Sequence, residues 1–137
     1  MCIRDRAQKI ADLAEANMVN IAGQTNLKQL LAVVAGASLV IAPDSGTAHM
    51  AVTQNTPTIG LYAHSNPRRT GPYLYPALTV DAYHENLQRL FSDSAKTPKW
   101  GTRLKGARLM HDISLSEVIS KVNDVLGALP LSGDLDR

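Results

Sequence analysis

Two periods run through the 137 residues. In residues 7–16, "AQKIADLAEA", Ile10, Leu13 and Ala14 recur at helical spacing, with Lys9, Asp12 and Glu15 on other faces. Asn17 reads as the end of that helix. "MVNIAG", residues 18–23, predicts a short strand closed by Gly23. Thr25 or Asn26 then offers an N-cap for a helix whose stripe is Leu27, Leu30, Leu31 and Val34, ended by Gly36. "SLVIAP", residues 38–43, predicts a continuously apolar strand buried on both faces. A helix follows over Gly46 to Gln54, broken by Asn55 and Pro57, and "PTIGLY" is the next strand.

After Tyr62 the pattern lapses. "AHSNPRRTGPYLYP" is a 14-residue loop rich in Pro, Gly and polar groups, a length that suggests a functional loop. "LTVDAY" is a fourth strand candidate, "ENLQRLF" a short helix, and residues 92–112 are basic and weakly patterned. "SLSEVISKVNDVLG" has the clearest helical period: Ser114 or Ser116 caps it, Leu115, Val118, Ile119, Val122 and Val125 or Leu126 form its stripe, and Gly127 ends it. Strands alternating with helices at this spacing imply βαβ units with right-handed crossovers. The fold class is therefore α/β, a Rossmann-like parallel sheet with flanking helices.

Composition narrows this picture. With 45% hydrophobic and 19% charged residues the chain suits one globular core, and with 4% aromatics that core is mostly aliphatic. A formal charge of +2 is too small for a nucleic-acid footprint. One cysteine, Cys2, excludes an internal disulfide and favours a reducing compartment. The longest apolar run, residues 30–42, holds Gly36 and Ser38 and is shorter than the roughly 18 residues of a membrane span. The first residues are charged and lack the apolar region of a secretory signal. "MCIRDR" fits neither the helix after it nor a sensible arm, so residues 1–6 are expected to be a non-native leader; residues 7–129 form the domain and 130–137 a frayed tail.

The chemistry gathers in "LVIAPDSGTAHMA", residues 39–51. In open parallel sheets ligands bind beyond the C-terminal ends of strands. A helix N-terminus presents unpaired N–H groups and a partial positive charge, which suit phosphate. Gly46 lets an anion approach the backbone, and Ser45 and Thr47 add hydroxyls. Asp44 repels phosphate; it reads as an N-cap, an acceptor for loop N–H groups, or a ligand to a metal or sugar hydroxyl. Ordinary capping and turn chemistry explains D-S-G-T equally well, and a lone helical histidine such as His49 fits a structural as well as a binding role. Arg68 and Arg69 could close over a diphosphate or simply be solvated. Neither a Walker A sequence nor G-x-G-x-x-G is present. His49, His64, His84 and His111 are scattered without metal-ligand spacing.

Taken together, "NIAGQTNLKQLLAVVAGASLVIAPDSGTAHMAVTQNTPTIGLYAHSNPRRTGPY" resembles the C-terminal half of family 9 glycosyltransferases, the ADP-heptose:lipopolysaccharide heptosyltransferases. The G-x-T segment before a helix, the strand ending in D-S-G-x-x-H, the P-x-I-x-L-Y strand and the P-x-R-x-G-P-Y loop all occur in the family's order. The resemblance implies the C-terminal half of a GT-B fold that binds a nucleotide-sugar donor, ADP-heptose. By position, Asp44, Ser45, Gly46 and Thr47 would contact the donor with His49 close behind, the diphosphate lying on the Gly46 and Thr47 N–H groups, and Thr25 would line the base pocket.

The resemblance also implies what these residues lack. Transfer is inverting, and the carboxylate base and the acceptor cleft belong to an N-terminal domain outside the chain. No catalytic residue is therefore expected here, and the chain by itself is expected to be inactive. The donor is a substrate, so no cofactor and no metal are expected. Partners would be the nucleotide-sugar and, through the other domain, a lipopolysaccharide-core or other glycan acceptor. Self-association of a half-enzyme is also expected, and a cytoplasmic location peripheral to the inner membrane. A nucleotide-sugar site of another GT-B enzyme, epimerase-like, and a non-catalytic α/β module remain alternatives.

Overall fold

A computed structural model describes residues 3–14, 16–92 and 98–128. The chain divides into two compact units, residues 1–33 and 34–137. The tail expected at 130–137 lies outside the described residues.

In the first unit, helix α1 spans Ile3–Leu13. It begins four residues earlier than the pattern from residue 7 suggested, because Ile3–Arg6 continue the same turn. The strand expected at 18–23 does not form. A strand exists only through a partner, and here turn chemistry takes the backbone instead. The Asn20 side chain accepts from the Ala22 N–H (3.0 Å), and the Gln24 N–H donates to the Ile21 carbonyl (3.0 Å). Gly23 sits at φ 75°, in the left-handed region that closes a turn. Helix α2, Leu27–Ala35, opens on a reciprocal capping box. Asn26 Oδ1 accepts from the Gln29 N–H and Gln29 Oε1 from the Asn26 N–H, both at 2.9 Å. Asn26 is therefore the cap, and Thr25 is free of that duty.

The second unit holds a three-stranded parallel sheet in the order β1-β2-β3. The strands are β1 (Val40–Pro43), β2 (Thr58–Tyr62) and β3 (Thr79–Asp81). Pairing sets Ala42 opposite Gly60 and Gly60 opposite Thr79. Strand β1 is not buried on both faces as its run of apolar residues suggested. It is an edge strand, and Ile41 remains 48% exposed while Ala42 is buried. Only β2 is buried almost throughout.

Helix α3, Gly46–Thr53, packs on β1 and β2 through Ala48, Ala51 and Val52. The long loop after β2 is not structureless: it contains a four-residue helix, α4 (Pro67–Thr70), and a 3-10 turn over Pro76–Leu78. The expected strand at 78–83 is cut to β3, because the Asp81 carboxylate accepts from the Tyr83 N–H (2.9 Å) and starts helix α5, Tyr83–Phe91. The weakly patterned basic stretch contributes Leu104 and Leu109 to a core with Ala63, Ala82 and Tyr83. Two buried tyrosines tie loops to that body: Tyr62 donates to the Thr70 carbonyl (2.8 Å) and Tyr83 to the Thr102 carbonyl (2.7 Å).

Helix α6, Leu115–Gly127, is capped by Ser114, whose Oγ accepts from the Glu117 N–H (3.2 Å). Its expected stripe is only half covered. Val118, Val122 and Val125 are half-buried, whereas Leu115, Ile119 and Leu126 stay exposed. Amphipathic period signals an apolar face, and the described residues cover one side of it.

Candidate functional site

Parallel pairing brings the C-terminal ends of β1 and β2 to one edge, with Pro43 opposite Leu61. The first turn of α3 and the segment leading to α4 emerge there together, at the edge where open α/β sheets hold ligands. Ser45 is the N-cap of α3, with extended backbone (φ −154°, ψ 165°), and its hydroxyl makes no capping bond. Asp44 is one residue too early to cap. The first amide to find a helical acceptor is that of His49, which donates to the Ser45 carbonyl (3.3 Å). Among the described residues the N–H groups of Gly46, Thr47 and Ala48 have no acceptor. They carry the positive end of the helix dipole.

Gly46 has no structural reason of its own. It is exposed, and a Cβ built there meets nothing within 4 Å. Gly60, by contrast, is held by packing, since a Cβ would lie 2.5 Å from the Tyr62 ring. Open space over unpartnered amides is the shape an anion needs.

Asp44 and His49 form a pair at 3.6 Å (Oδ1 to Nε2), with side chains 18% and 53% exposed. The imidazole thus turns back toward the strand end from the next turn of the helix, and the carboxylate stays mostly covered. Asp44 also acts on Tyr62, whose hydroxyl is pushed up to about 12, first by burial and second by that negative charge. A cavity of about 40 Å³ lies between the ends of β1 and β2, lined by Asp44, His64, Ser65 and Arg103 among others. The Ser65 hydroxyl is buried and finds no partner among the described residues.

Arg68 and Arg69 are both on α4. Asn66 caps that helix through the Arg68 N–H (3.0 Å), with Pro67 at its first position. The two arginines share with His49 and Tyr73 the walls of a cleft of about 310 Å³. Asp44, Ser45, Gly46 and Thr47 do not line that cleft, so His49 is the one predicted site residue common to both features. Thr25 belongs to the first unit, just ahead of the Asn26 cap.

Pattern reading missed Tyr62, Asn66 and Tyr73. Asn66 was discoverable, because Asn-Pro is a helix-start signal. The Tyr62 hydroxyl reaches the Thr70 carbonyl eight residues on, and Tyr73, although it ends the P-x-R-x-G-P-Y loop, meets His49 only through the fold. Among the described residues no three His, Cys, Asp or Glu side chains converge as a metal set. No described helix is long and apolar enough to cross a membrane.

The chain is thus an α/β unit with an open helix N-terminus at the end of its edge strand. The chain matches the model of glycosyltransferase family 9 (heptosyltransferase) over residues 4–100, and it belongs to that family. It is 47% identical over 115 residues to the lipopolysaccharide core heptosyltransferase OpsX of Haemophilus influenzae, covering 84% of this chain and 33% of that protein. The lipopolysaccharide heptosyltransferase 2 of Salmonella typhimurium is 27% identical over 107 residues, 78% of this chain and 28% of that protein. The corresponding Escherichia coli protein is 28% identical over the same length and shares. The chain thus spans about a third of the length of these relatives. No solved structure matches it.

Proposed function

We propose that this chain is the donor-binding half of a GT-B heptosyltransferase of lipopolysaccharide core synthesis. The donor is ADP-heptose, a substrate rather than a cofactor, and its diphosphate rests on the Gly46 and Thr47 N–H groups of α3. The observation that carries this reading is the open space over Gly46, where a helix begins with unpartnered amides and nothing in the fold forbids a side chain. Family membership supports glycosyl transfer as the chemistry.

In this reading the acceptor hydroxyl attacks the anomeric carbon from the face opposite the leaving group. The bond from that carbon to the β-phosphate oxygen breaks, and ADP departs with the electron pair. The α3 N-terminus stabilises the charge that develops on the departing diphosphate, where preformed dipoles are most effective. The Ser45 and Thr47 hydroxyls supply further donors. Asp44, paired with His49, accepts from a sugar hydroxyl. The carboxylate that removes the acceptor proton lies in sequence outside this chain, which therefore binds donor without transferring it.

The test is titration of the isotope-labelled chain with ADP and ADP-heptose, followed by amide NMR. Shifts at Gly46, Thr47 and His49, with no sugar transferred, are expected. Unmoved Gly46 and Thr47 amides at saturating nucleotide would sink the proposal.

A further inference from the structure

We infer that the cleft beside α4 is a second binding site, for an anionic sugar: a sugar ring carrying a phosphate or carboxylate. It adjoins the donor seat through His49 and goes beyond that proposal without depending on it.

The cleft measures about 310 Å³, and its walls include His49, Arg68, Arg69, Thr70 and Tyr73. That volume is at the lower end of the roughly 300–1,000 Å³ of small-molecule sites, a size for a sugar ring with one anionic substituent. The charge is of the right sign. Among the described residues neither guanidinium is paired with a carboxylate. Arg69 Nη1 is oriented instead by the Gly101 carbonyl at 3.3 Å. Two such forks beside an imidazole can grip phosphate or carboxylate oxygens. The apolar share of the wall comes from prolines and from Tyr73, which is 69% exposed and offers a flat ring to a sugar face.

The arginines are also held ready. Buried Asn66 caps their helix and donates to the Trp100 carbonyl (3.1 Å), and the buried Tyr62 hydroxyl donates to the Thr70 carbonyl (2.8 Å). The Gly71 N–H closes the turn on the Pro67 carbonyl (2.7 Å), and a Cβ at Gly71 would collide with that same oxygen. The pinning cuts the ordering cost that a mobile pair of arginines would add on binding.

Glucose 6-phosphate is the probe, with glucose, inorganic phosphate and ADP as separate arms, each read by amide NMR of this chain. Glucose 6-phosphate should shift Thr70, Gly71 and Tyr73, and Arg68→Gln with Arg69→Gln should weaken it about tenfold or more, the worth of one or two charged hydrogen bonds. Tyr73→Ala should weaken glucose 6-phosphate more than inorganic phosphate. ADP should shift Gly46 and Thr47 equally in the parent chain and the arginine variant. Unmoved cleft amides, or unchanged affinity in the double variant, overturn the site. Competitive displacement of glucose 6-phosphate by ADP overturns it too, since the arginines would then serve the diphosphate. If ADP leaves Gly46 and Thr47 unmoved while glucose 6-phosphate shifts the cleft, the donor seat fails and this site stands.

Discussion

Gly46→Ala separates folding from binding at one atom. Nothing lies within 4 Å of the added methyl, and the backbone there does not use the left-handed region that only glycine tolerates. The variant should therefore fold with parent stability, or gain about 0.4–1 kcal/mol from a less flexible unfolded chain. The proposed ligand has no such freedom. A methyl over the first amide of α3 lifts a phosphate away from the Gly46 and Thr47 N–H groups. Losing one charge-assisted hydrogen bond costs about 1.5–3 kcal/mol, which is roughly a 10- to 150-fold rise in Kd for ADP. Thermal denaturation and an NMR titration on the same sample read the two quantities. Parent-like ADP affinity in a folded Gly46→Ala chain would refute the amide seat, and a collapse in stability would refute the assignment of open space.

Gly60→Ala should behave oppositely: its methyl would lie 2.5 Å from the Tyr62 ring and 3.2 Å from Pro72 Cδ, and overpacking of that kind costs about 1–3 kcal/mol, seen as a lower Tm. Asn86→Ala should destabilise by about 1–3 kcal/mol in urea unfolding, because buried Asn86 donates to the Ala63 and Leu109 carbonyls (3.5 and 3.4 Å) and accepts from Arg89 (2.6 Å). Tyr62 ionises near 12 in the folded chain against 10.0 when unperturbed, so its contribution is whole below pH 10 and is lost as pH rises toward 12. Tyr62→Phe should flatten that part of the alkaline decline in stability, at a cost of about 1 kcal/mol at neutral pH for the bond to Thr70. Asn66→Ala should cost about 1 kcal/mol by uncapping α4, and amide hydrogen exchange at Arg68 should speed up.

Much of the local structure was legible because its causes lie within four residues. Asn26 and Gln29 form a capping box written in the sequence, Ser114 caps α6, and Asn66-Pro67 opens α4. The D-S-G-T stretch likewise fell at a strand end and a helix start. Errors came where an element depends on a partner. Residues 18–23 have strand-forming residues but no strand to pair with among the described residues, so Asn20 and Gly23 turned them instead. The apolar run of β1 suggested burial on both faces, yet its edge position leaves Ile41 open. Leu104 and Leu109 sit in a stretch without period, and they entered the core through contacts more than twenty residues away.

By itself, then, the sequence determined the capped helices, the apolar strands, the acid-hydroxyl-glycine turn between β1 and α3, and the resemblance to a glycosyltransferase family. Those depend on side chains acting on their own neighbouring backbone. The tertiary structure decided which glycine is there for space and which for packing, and set Gly46 apart from Gly60 and Gly71. It also gathered Arg68, Arg69, Tyr73 and His49 round one cleft apart from Asp44–Thr47. Convergence of that kind follows from strand register and from distant hydrogen bonds such as that of Tyr62 to Thr70, which no window of the chain contains.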